Sequence, residues 1–486
     1  MTRVLENLQP EKVMYYFEEI SNIPRGSGNE NVISDYMVAF AKGLGLEVKQ
    51  DEANNIYIKK PATPGYENAP TVIMQGHLDM VCEKNKDTEH DFLTEGIKLE
   101  IDGDFIRAKG TTLGADNGIA IAYQMAVLAD DTIAHPAIEA LMTTAEETGM
   151  DGVANLHPEY LEGKILLNLD TDIEGEFLVS CAGGAKAHVD LDVTYEKADE
   201  ENVLYRVIIK GLTGGHSGAD IHQERANANI LVGRVLDQVR KVCAVRMATF
   251  VGGTKDNVIT REAEASFYVE KAYAKKVETI LKEMEQAFKV EYEKQDPNLF
   301  MIVEKVEEEK PCITVEQSEK MIDLLMCLPH GIMAYSMQIP GLVESSLNIG
   351  VVQLEKDGLH IVLAVRSSVP TKKENMLRKI ERVAKNLGAT CTVLGDYPAW
   401  VYEPKSRIRE LAMEVFEQKY GKKPEIKAIH AGLECGFISE KLPGLDMIAF
   451  GPNAYDIHSP KERASISSMA RVYEYLLDLL KAMKNY

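Results

Sequence analysis

The sequence predicts an α/β protein in which a mixed, largely parallel sheet flanked by helices is interrupted by an α+β domain. In the first third of the chain, short apolar runs alternate with helical patterns, as in parallel sheets. After residues 181–186, apolar and polar residues alternate, which is typical of antiparallel strands with one face in water. The last segment returns to the first pattern. We therefore expect a sheet domain of residues 1–183 and 399–486, interrupted by residues 184–398.

The chain opens with two helical patterns and a hairpin. Apolar residues recur at helical spacing over residues 10–20 and 30–44. Residues 47–51 and 55–59 then form two short runs with turn residues between them. This arrangement predicts two antiparallel strands joined by a tight turn.

Three apolar runs predict buried strands of the parallel sheet. They begin at Thr71, Ile138 and Lys164. In such sheets, ligands bind at the carboxyl ends of the strands, so polar side chains where the runs stop are candidate site residues. These side chains are His77, Asp79, Glu146, Glu147 and Asp170.

Asp116 and His458 are two further candidates for the site, and each could instead have an ordinary structural role. Asp116 precedes the helical run IAIAYQMAVLAD, so it could simply cap that helix. His458, in DIHSP, could be an ordinary loop histidine.

In the middle domain, residues 189–195 and 203–212 alternate as half-exposed strands do. Residues 265–288 and 361–384 each read as a strand, a short turn and a charged helix. The similarity of these two segments fits either an internal duplication or two ordinary strand–helix units. Downstream, the pattern predicts helices over 407–419 and 467–484 and strands over 426–431 and 446–451.

Composition excludes several classes of function. The 486 residues carry a formal net charge of -22, which argues against binding to nucleic acid or to an anionic membrane surface. The N-terminus has no apolar signal core, and no run of about 20 apolar residues could span a bilayer. Seven scattered cysteines without a CxxC pattern predict reduced thiols and a cytoplasmic protein.

The candidate residues combine imidazoles with carboxylates, a ligand set that suits zinc, cobalt or manganese. Taken singly, His77 and Asp79 could be a hydrogen-bonded pair at a strand end, and Glu146 and Glu147 a solvated acidic turn. Adjacent carboxylates at the end of an apolar strand are unusual, however, because like charges oppose each other's ionisation. A metal ligand beside a general base would resolve that repulsion.

The motifs QGHLDM, GADNGIA, TAEETGM, NLD, GGHSG, HAGLECG and GPNAYDIHSP occur in this order along the chain. In these motifs and their order, the chain resembles the aminoacyl-histidine dipeptidases. These are peptidase D-like members of the zinc aminoacylase and carboxypeptidase superfamily. The resemblance covers essentially the whole chain. It implies a dinuclear zinc peptidase fold in which the inserted domain serves as a lid and dimerises.

The resemblance also implies a role for each candidate residue of the sheet domain. Two divalent ions, Zn²⁺ first and Co²⁺ or Mn²⁺ as alternatives, would be bound. Asp79 would orient His77, and Glu146 would be the general base for a metal-bridging water. The metal ligands would be His77, Asp116 and Asp170 for one ion, and Asp116, Glu147 and His458 for the other.

In the inserted domain, the resemblance implies that His216 stabilises the oxyanion, while Asn257, Arg366 and Gly432 bind substrate. From the residues alone, His216 could be a turn residue and Arg366 a surface arginine. Leu169 and Thr260 depart from the family pattern, where a small polar residue and proline are expected. We expect these two departures to affect local packing more than the metal ligands.

The expected activity is metal-dependent hydrolysis of dipeptides by a cytoplasmic homodimer, with either Xaa-His or broad specificity. An aminoacylase, a tripeptidase or an aminopeptidase would use the same metal ligands, so the motifs barely separate these activities. A non-catalytic binding protein on the same fold is the alternative from another class. Such a protein could lose Glu146 or a ligand, yet every expected site residue is present.

Overall fold

The computed structural model describes residues 3–486. Most predicted helices are present, with ends shifted by one or two residues. The α-helices are α1 Glu11–Ser21, α2 Asn31–Gly43, α3 Ala115–Leu128, α4 Glu146–Gly149, α5 Asp151–Ala154, α6 Ala228–Arg240, α7 Ala274–Glu291, α8 Val315–Cys327, α9 Pro370–Asn386, α10 Arg407–Tyr420, α11 Glu434–Lys441 and α12 Ile466–Ala482.

The strands fall into two large sheets and three small ones. They are β1 Glu47–Gln50, β2 Ile56–Lys60, β3 Val72–His77, β4 Leu99–Asp102, β5 Phe105–Ala108, β6 Ile138–Thr143, β7 Ile165–Asn168, β8 Glu176–Cys181, β9 Gly183–Leu191, β10 Tyr195–Glu196, β11 Asn202–Lys210, β12 Gly215–His216, β13 Arg246–Gly252, β14 Val258–Ile259, β15 Ala263–Glu270, β16 Phe300–Val306, β17 Cys312–Ile313, β18 Gly331–Tyr335, β19 Val343–Glu355, β20 Gly358–Ser367, β21 Thr390–Tyr397, β22 Glu425–Ile429, β23 Asp446–Ala449, β24 Ala454–Tyr455 and β25 Arg463–Ser465.

The first large sheet has eight strands in the order β1-β2-β6-β3-β7-β23-β8-β22. Its centre, β6-β3-β7-β23, is parallel, while β1, β2 and β8 pair antiparallel. Every residue of β3, β6 and β7 is buried, as the continuous apolar runs predicted. The sheet is therefore mixed and largely parallel, as expected, and the carboxyl ends of its central strands meet at one edge.

The second large sheet is antiparallel, in the order β16-β11-β15-β13-β19-β20-β9-β21, with β18 added on β19. Its apolar side chains form one core with those of α6 and α8. The two similar segments, 265–288 and 361–384, correspond to β15 followed by α7 and to β20 followed by α9. Since β15 and β20 lie in the same sheet, both strand–helix units contribute to one core.

The chain divides into two compact units. The first runs to Ser180 and also contains Tyr402–Ala428 and Leu433–Tyr486, while the second contains Cys181–Val401 and Ile429–Gly432. The short return of Ile429–Gly432 to the second unit was not predicted. It is held by the N–H of Ala182, which donates to the carbonyls of Ile429 and Ala431.

A four-stranded sheet in the order β24-β25-β5-β4 was also not predicted. Its strands are two to four residues long, so they carry little periodic signal. The loop between β24 and β25 carries His458. No helix within residues 3–486 has the length and apolarity needed to cross a membrane.

Candidate active site

The polar residues predicted at the strand ends converge at the carboxyl edge of the first sheet. His77 is the last residue of β3, Glu146 and Glu147 begin α4 just after β6, and Asp170 lies two residues beyond β7. Since β6, β3 and β7 are adjacent and parallel, their ends bring these side chains together.

Asp116 is the centre of the cluster. Its Oδ1 lies 3.1 Å from Nε2 of His77, and its Oδ2 lies 3.2 Å from Nε2 of His458. Asp170 approaches His77 Nε2 at 3.7 Å, and Glu147 Oε2 approaches His458 Nε2 at 3.0 Å. One carboxylate thus faces two imidazoles, each of which also faces a second carboxylate.

These ligand atoms fit divalent metal ions. Three groups have their ligand atoms within 4.8 Å of one another: His77 with Asp116 and Asp170, His77 with Glu146 and Glu147, and Asp116 with Glu147 and His458. Within residues 3–486, Glu147 Oε1 is buried and has no hydrogen-bond partner, so its lone pairs are available to a metal ion. Mixed imidazole and carboxylate ligands suit zinc and its neighbours.

Asp79 orients both His77 and the turn that carries the glutamates. Its Oδ1 lies 3.3 Å from Nδ1 of His77, which also contacts the Asp79 carbonyl at 3.1 Å. With a cation bound, a neutral His77 that donates through Nδ1 would present Nε2 as its ligand atom. The Asp79 carboxylate also accepts from the backbone N–H groups of Glu146 and Glu147 at 3.1 and 3.2 Å. Burial opposes the charge on Asp79, but hydrogen bonds from His77 and Ser27 hold its pKa below the ordinary value.

Glu146 has the properties of a proton acceptor that is tuned by its surroundings. Burial raises the pKa of Glu146 to about 8, and the nearby Glu434 and Glu147 add to the rise while His77 opposes it. Positive charge from bound cations would lower this pKa and favour the carboxylate form. A general base works best when its pKa lies near the working pH.

The carboxylates around the two imidazoles favour the protonated form of each ring. Hydrogen bonds to Asp116 and Glu147 raise the pKa of His458 to about 10. For His77, burial acts against the charge, but Asp170, Asp116 and Asp79 raise its pKa well above the ordinary value. A cation that binds here must therefore displace protons from the imidazoles.

The N-cap of α3 is Gly114, and the Asp116 oxygens face the imidazoles of His77 and His458 instead of a backbone N–H, so the capping alternative is wrong. The turn before Asp116 is held by Glu462. This buried carboxylate accepts from the backbone N–H groups of Leu113, Gly114, Ala115 and Asp116 at 2.7, 3.0, 2.8 and 3.3 Å. Glu462 was not identified from the sequence, because a single glutamate in a loop carries no recognisable pattern.

Replacement of Glu462 by glutamine is expected to lower the free energy of unfolding by about 1–3 kcal/mol, because the amide N–H₂ faces N–H donors that then lose an acceptor. Urea denaturation of the metal-free protein measures this loss. Glu440→Gln is the matched control, since Glu440 is exposed on α11. Equal stability of the two variants would show that Glu462 does not hold the turn.

Glu434, in the HAGLECG motif, is a second buried carboxyl group. Its Oε2 accepts from Gln75 Nε2 at 2.5 Å and from Thr143 Oγ1 at 2.6 Å, on β3 and β6 respectively. Burial raises the pKa of Glu434 to about 8. Glu434 therefore contacts both β3, which ends at His77, and β6, which ends shortly before Glu146.

The other predicted residues lie in the second unit. His216 ends β12, and its Nδ1 accepts from the N–H groups of Gly218 and Ala219 at 3.2 and 3.0 Å. The Asn257 carbonyl accepts from the N–H of Ser217 at 2.8 Å, which ties the two loops together. Arg366 is buried on β20, and Gly432 ends the returning segment.

The two departures from the expected motif are both buried. Leu169 is part of the core of the first unit, and its carbonyl accepts from Asn117 Nδ2 at 2.9 Å. Thr260 Oγ1 donates to the Gly350 carbonyl at 2.8 Å and accepts from Asn229 Nδ2 at 3.1 Å. Both residues contribute to local packing or hydrogen bonding, and their effect relative to the metal ligands stays a prediction.

Comparison with known proteins supports a relationship over the full chain. The model of peptidase family M20/M25/M40 matches residues 73–482. The cytosol non-specific dipeptidase of Escherichia coli is 37% identical over 477 residues, 98% of each chain.

Solved structures agree with this relationship. The aminoacylhistidine dipeptidase from Vibrio alginolyticus is 37% identical, has a TM-score of 0.92 and covers 98% of each chain. Aminopeptidase PepT from Bacillus cereus, 17% identical with a TM-score of 0.56 over 98% of this chain and 99% of its own, shares the fold.

Proposed function

Since this chain belongs to peptidase family M20/M25/M40, we propose that it is a dipeptidase that hydrolyses its substrates in a metal-dependent reaction. The observation that carries the proposal is the position of Asp116, which faces the imidazoles of both His77 and His458. Relatives that are 37% identical over nearly the whole chain are named dipeptidases, which supports the same substrate class here.

The proposed metal site holds two divalent cations, with zinc the first choice for this ligand set and cobalt or manganese the alternatives. His77 and Asp170 would serve one cation, Glu147 and His458 the other, and Asp116 both. Bound cations at such a site polarise the scissile carbonyl and lower the pKa of the attacking water.

We propose that Glu146 moves the protons of the reaction. It would take one proton from the attacking water and deliver it to the leaving amine. Asp79 supports this role by holding the N–H groups of Glu146 and Glu147, so that the turn carrying the base has a fixed orientation. Asp79 also keeps His77 oriented toward Asp116.

In the second unit, we propose that the Nε2–H of His216 stabilises the oxyanion, because its Nδ1 already accepts two backbone N–H groups. Arg366 would bind the C-terminal carboxylate, while Asn257 and Gly432 would contact the substrate. The proposal includes a homodimer, with the second unit as lid and dimerisation domain, and a cytoplasmic location, which the name of the Escherichia coli relative supports.

The names of the two relatives differ in specificity: one is called non-specific, and the other an aminoacylhistidine dipeptidase. We propose a range of unblocked dipeptides that includes Xaa-His. The experiment is a panel of dipeptides, tripeptides and N-acyl amino acids, with product amino acids quantified by chromatography. Cleavage of several dipeptides, with at least about tenfold lower kcat/KM for the other classes, is expected. Preference for N-acyl amino acids or tripeptides would instead identify an aminoacylase or a tripeptidase.

A further inference from the structure

Arg366 is a buried cation that pairs with no anionic side chain in the described part of the chain. Only 9% of the residue is exposed, and Nη1 donates to the hydroxyl of Tyr397 at 2.9 Å. Its Nε is buried with no hydrogen-bond partner, and no carboxylate within residues 3–486 forms an ion pair with it. A buried guanidinium normally pairs with an anion, so this arrangement favours an anionic ligand.

The strands around Arg366 bring Tyr397 to its guanidinium. Arg366 on β20 pairs with Ser346 on β19 and with Gly184 on β9. A Cβ atom at Gly184 would lie only 2.4 Å from the hydroxyl oxygen of Tyr397. Glycine at this position therefore allows Tyr397 to reach Arg366 from the edge strand β21.

His430 adds a second unused polar atom to this cluster. The residue is 6% exposed, and its Nε2 lies 2.7 Å from Oγ of Ser346, the direct neighbour of Arg366 across the strands. Its Nδ1 is buried without a partner. Burial lowers the pKa of His430 to about 3, and the charges of Arg366 and His216 act in the same direction, so the imidazole is neutral.

A neutral imidazole carries its proton on one ring nitrogen, and the partner of Nε2 decides which one. Among the described residues 3–486, Ser346 Oγ has His430 as its one hydrogen-bond partner, so its O–H is available to donate to Nε2. The proton of the neutral ring then resides on Nδ1, which becomes a donor. The cluster thus offers one cation, Arg366, and one neutral donor, His430, without any negative charge of its own.

We propose that His430, oriented by Ser346, binds the substrate's C-terminal carboxylate together with Arg366 and makes the enzyme select for a free carboxylate. This inference rests on the proposed function. The net charge of the subsite matches a single carboxylate, whereas a C-terminal amide would leave the buried Arg366 charge uncompensated. His430 is thereby a specificity-determining residue in addition to Arg366.

The test compares kcat and KM for an unblocked dipeptide and for its C-terminal amide. In wild type we expect a preference for the free acid of at least about 100-fold in kcat/KM. His430→Gln, which places its amide near the Nε2 position, should reduce that preference by about 10- to 100-fold through a higher KM for the acid. His430→Asn places an amide nitrogen near the Nδ1 position and should retain most of the preference. His222→Gln is the control, because His222 is exposed.

A direct binding measurement separates this inference from the proposed function. Isothermal titration calorimetry of L-leucine and L-leucinamide is expected to show tighter binding of the acid in wild type and loss of this difference in His430→Gln. If the folded His430→Gln variant keeps the wild-type difference between acid and amide, the inference is wrong. If wild type cleaves no dipeptide but His430 still governs binding of the acid, only the proposed function fails.

Discussion

Replacement of Glu146 by glutamine is expected to lower kcat for dipeptide hydrolysis by about 10³- to 10⁴-fold while both metal ions remain bound. Glutamine keeps the size of the side chain but cannot accept the proton of the attacking water. The backbone N–H of Glu146 still donates to Asp79, so the turn should keep its conformation. Steady-state kinetics and metal content, measured on the same sample, test both parts of this expectation.

The control for this variant is Asp151→Asn, because Asp151 is an exposed acid on the adjacent helix α5. It should keep wild-type kcat. If Glu146→Gln retains more than about a tenth of wild-type kcat with full metal content, Glu146 is not the base. If the variant loses metal as well, Glu146 is itself a ligand, a role that its proximity to His77 and Glu147 would permit.

Replacement of Asp116 by alanine should have the largest effect on metal binding, since it is the one carboxylate within residues 3–486 that faces both His77 and His458. We expect the metal content to fall from two ions per chain to fewer than one, and kcat/KM to fall by at least about 10⁴-fold. His458→Ala, which removes a ligand of one ion only, should retain up to one ion. Elemental analysis after dialysis against dilute zinc gives both numbers.

His157→Ala is the matched control for the histidine variant, because His157 pairs with Glu52 and Glu159 on the surface of the same unit. It should bind two ions. Equal metal content in Asp116→Ala and His458→Ala would contradict a bridging role for Asp116. Retention of two ions in Asp116→Ala would contradict the proposed site as a whole.

The sequence predicted those site residues that follow a strand. His77, Glu146 and Asp170 stand where apolar runs stop, and parallel strands necessarily bring such ends to one edge. Family resemblance was needed to assign Asp116 and His458, because each has a common structural role in isolation. The structure shows that the N-cap of α3 is Gly114 and that the two oxygens of Asp116 face the imidazoles of His77 and His458.

Residues that support the site were harder to predict. Glu462 binds four consecutive backbone N–H groups that are more than 340 positions away in the sequence, so its role exists only in the folded chain. Glu434 and His430 lie in the conspicuous HAGLECG motif. The motif does not reveal that Gln75 and Thr143 donate to Glu434, or that Ser346 contacts His430. The strands β24 and β25 are likewise too short to show a recognisable alternation of apolar and polar residues.

The measurement that tests the central claim most directly is hydrolysis of an unblocked dipeptide by wild-type protein that has been stripped of metal and then reloaded with zinc. The account predicts no detectable hydrolysis after stripping and recovery of activity as zinc approaches two ions per chain. Undiminished hydrolysis by protein shown to contain no metal would contradict the account. Absence of hydrolysis of any dipeptide by fully loaded protein would contradict it equally.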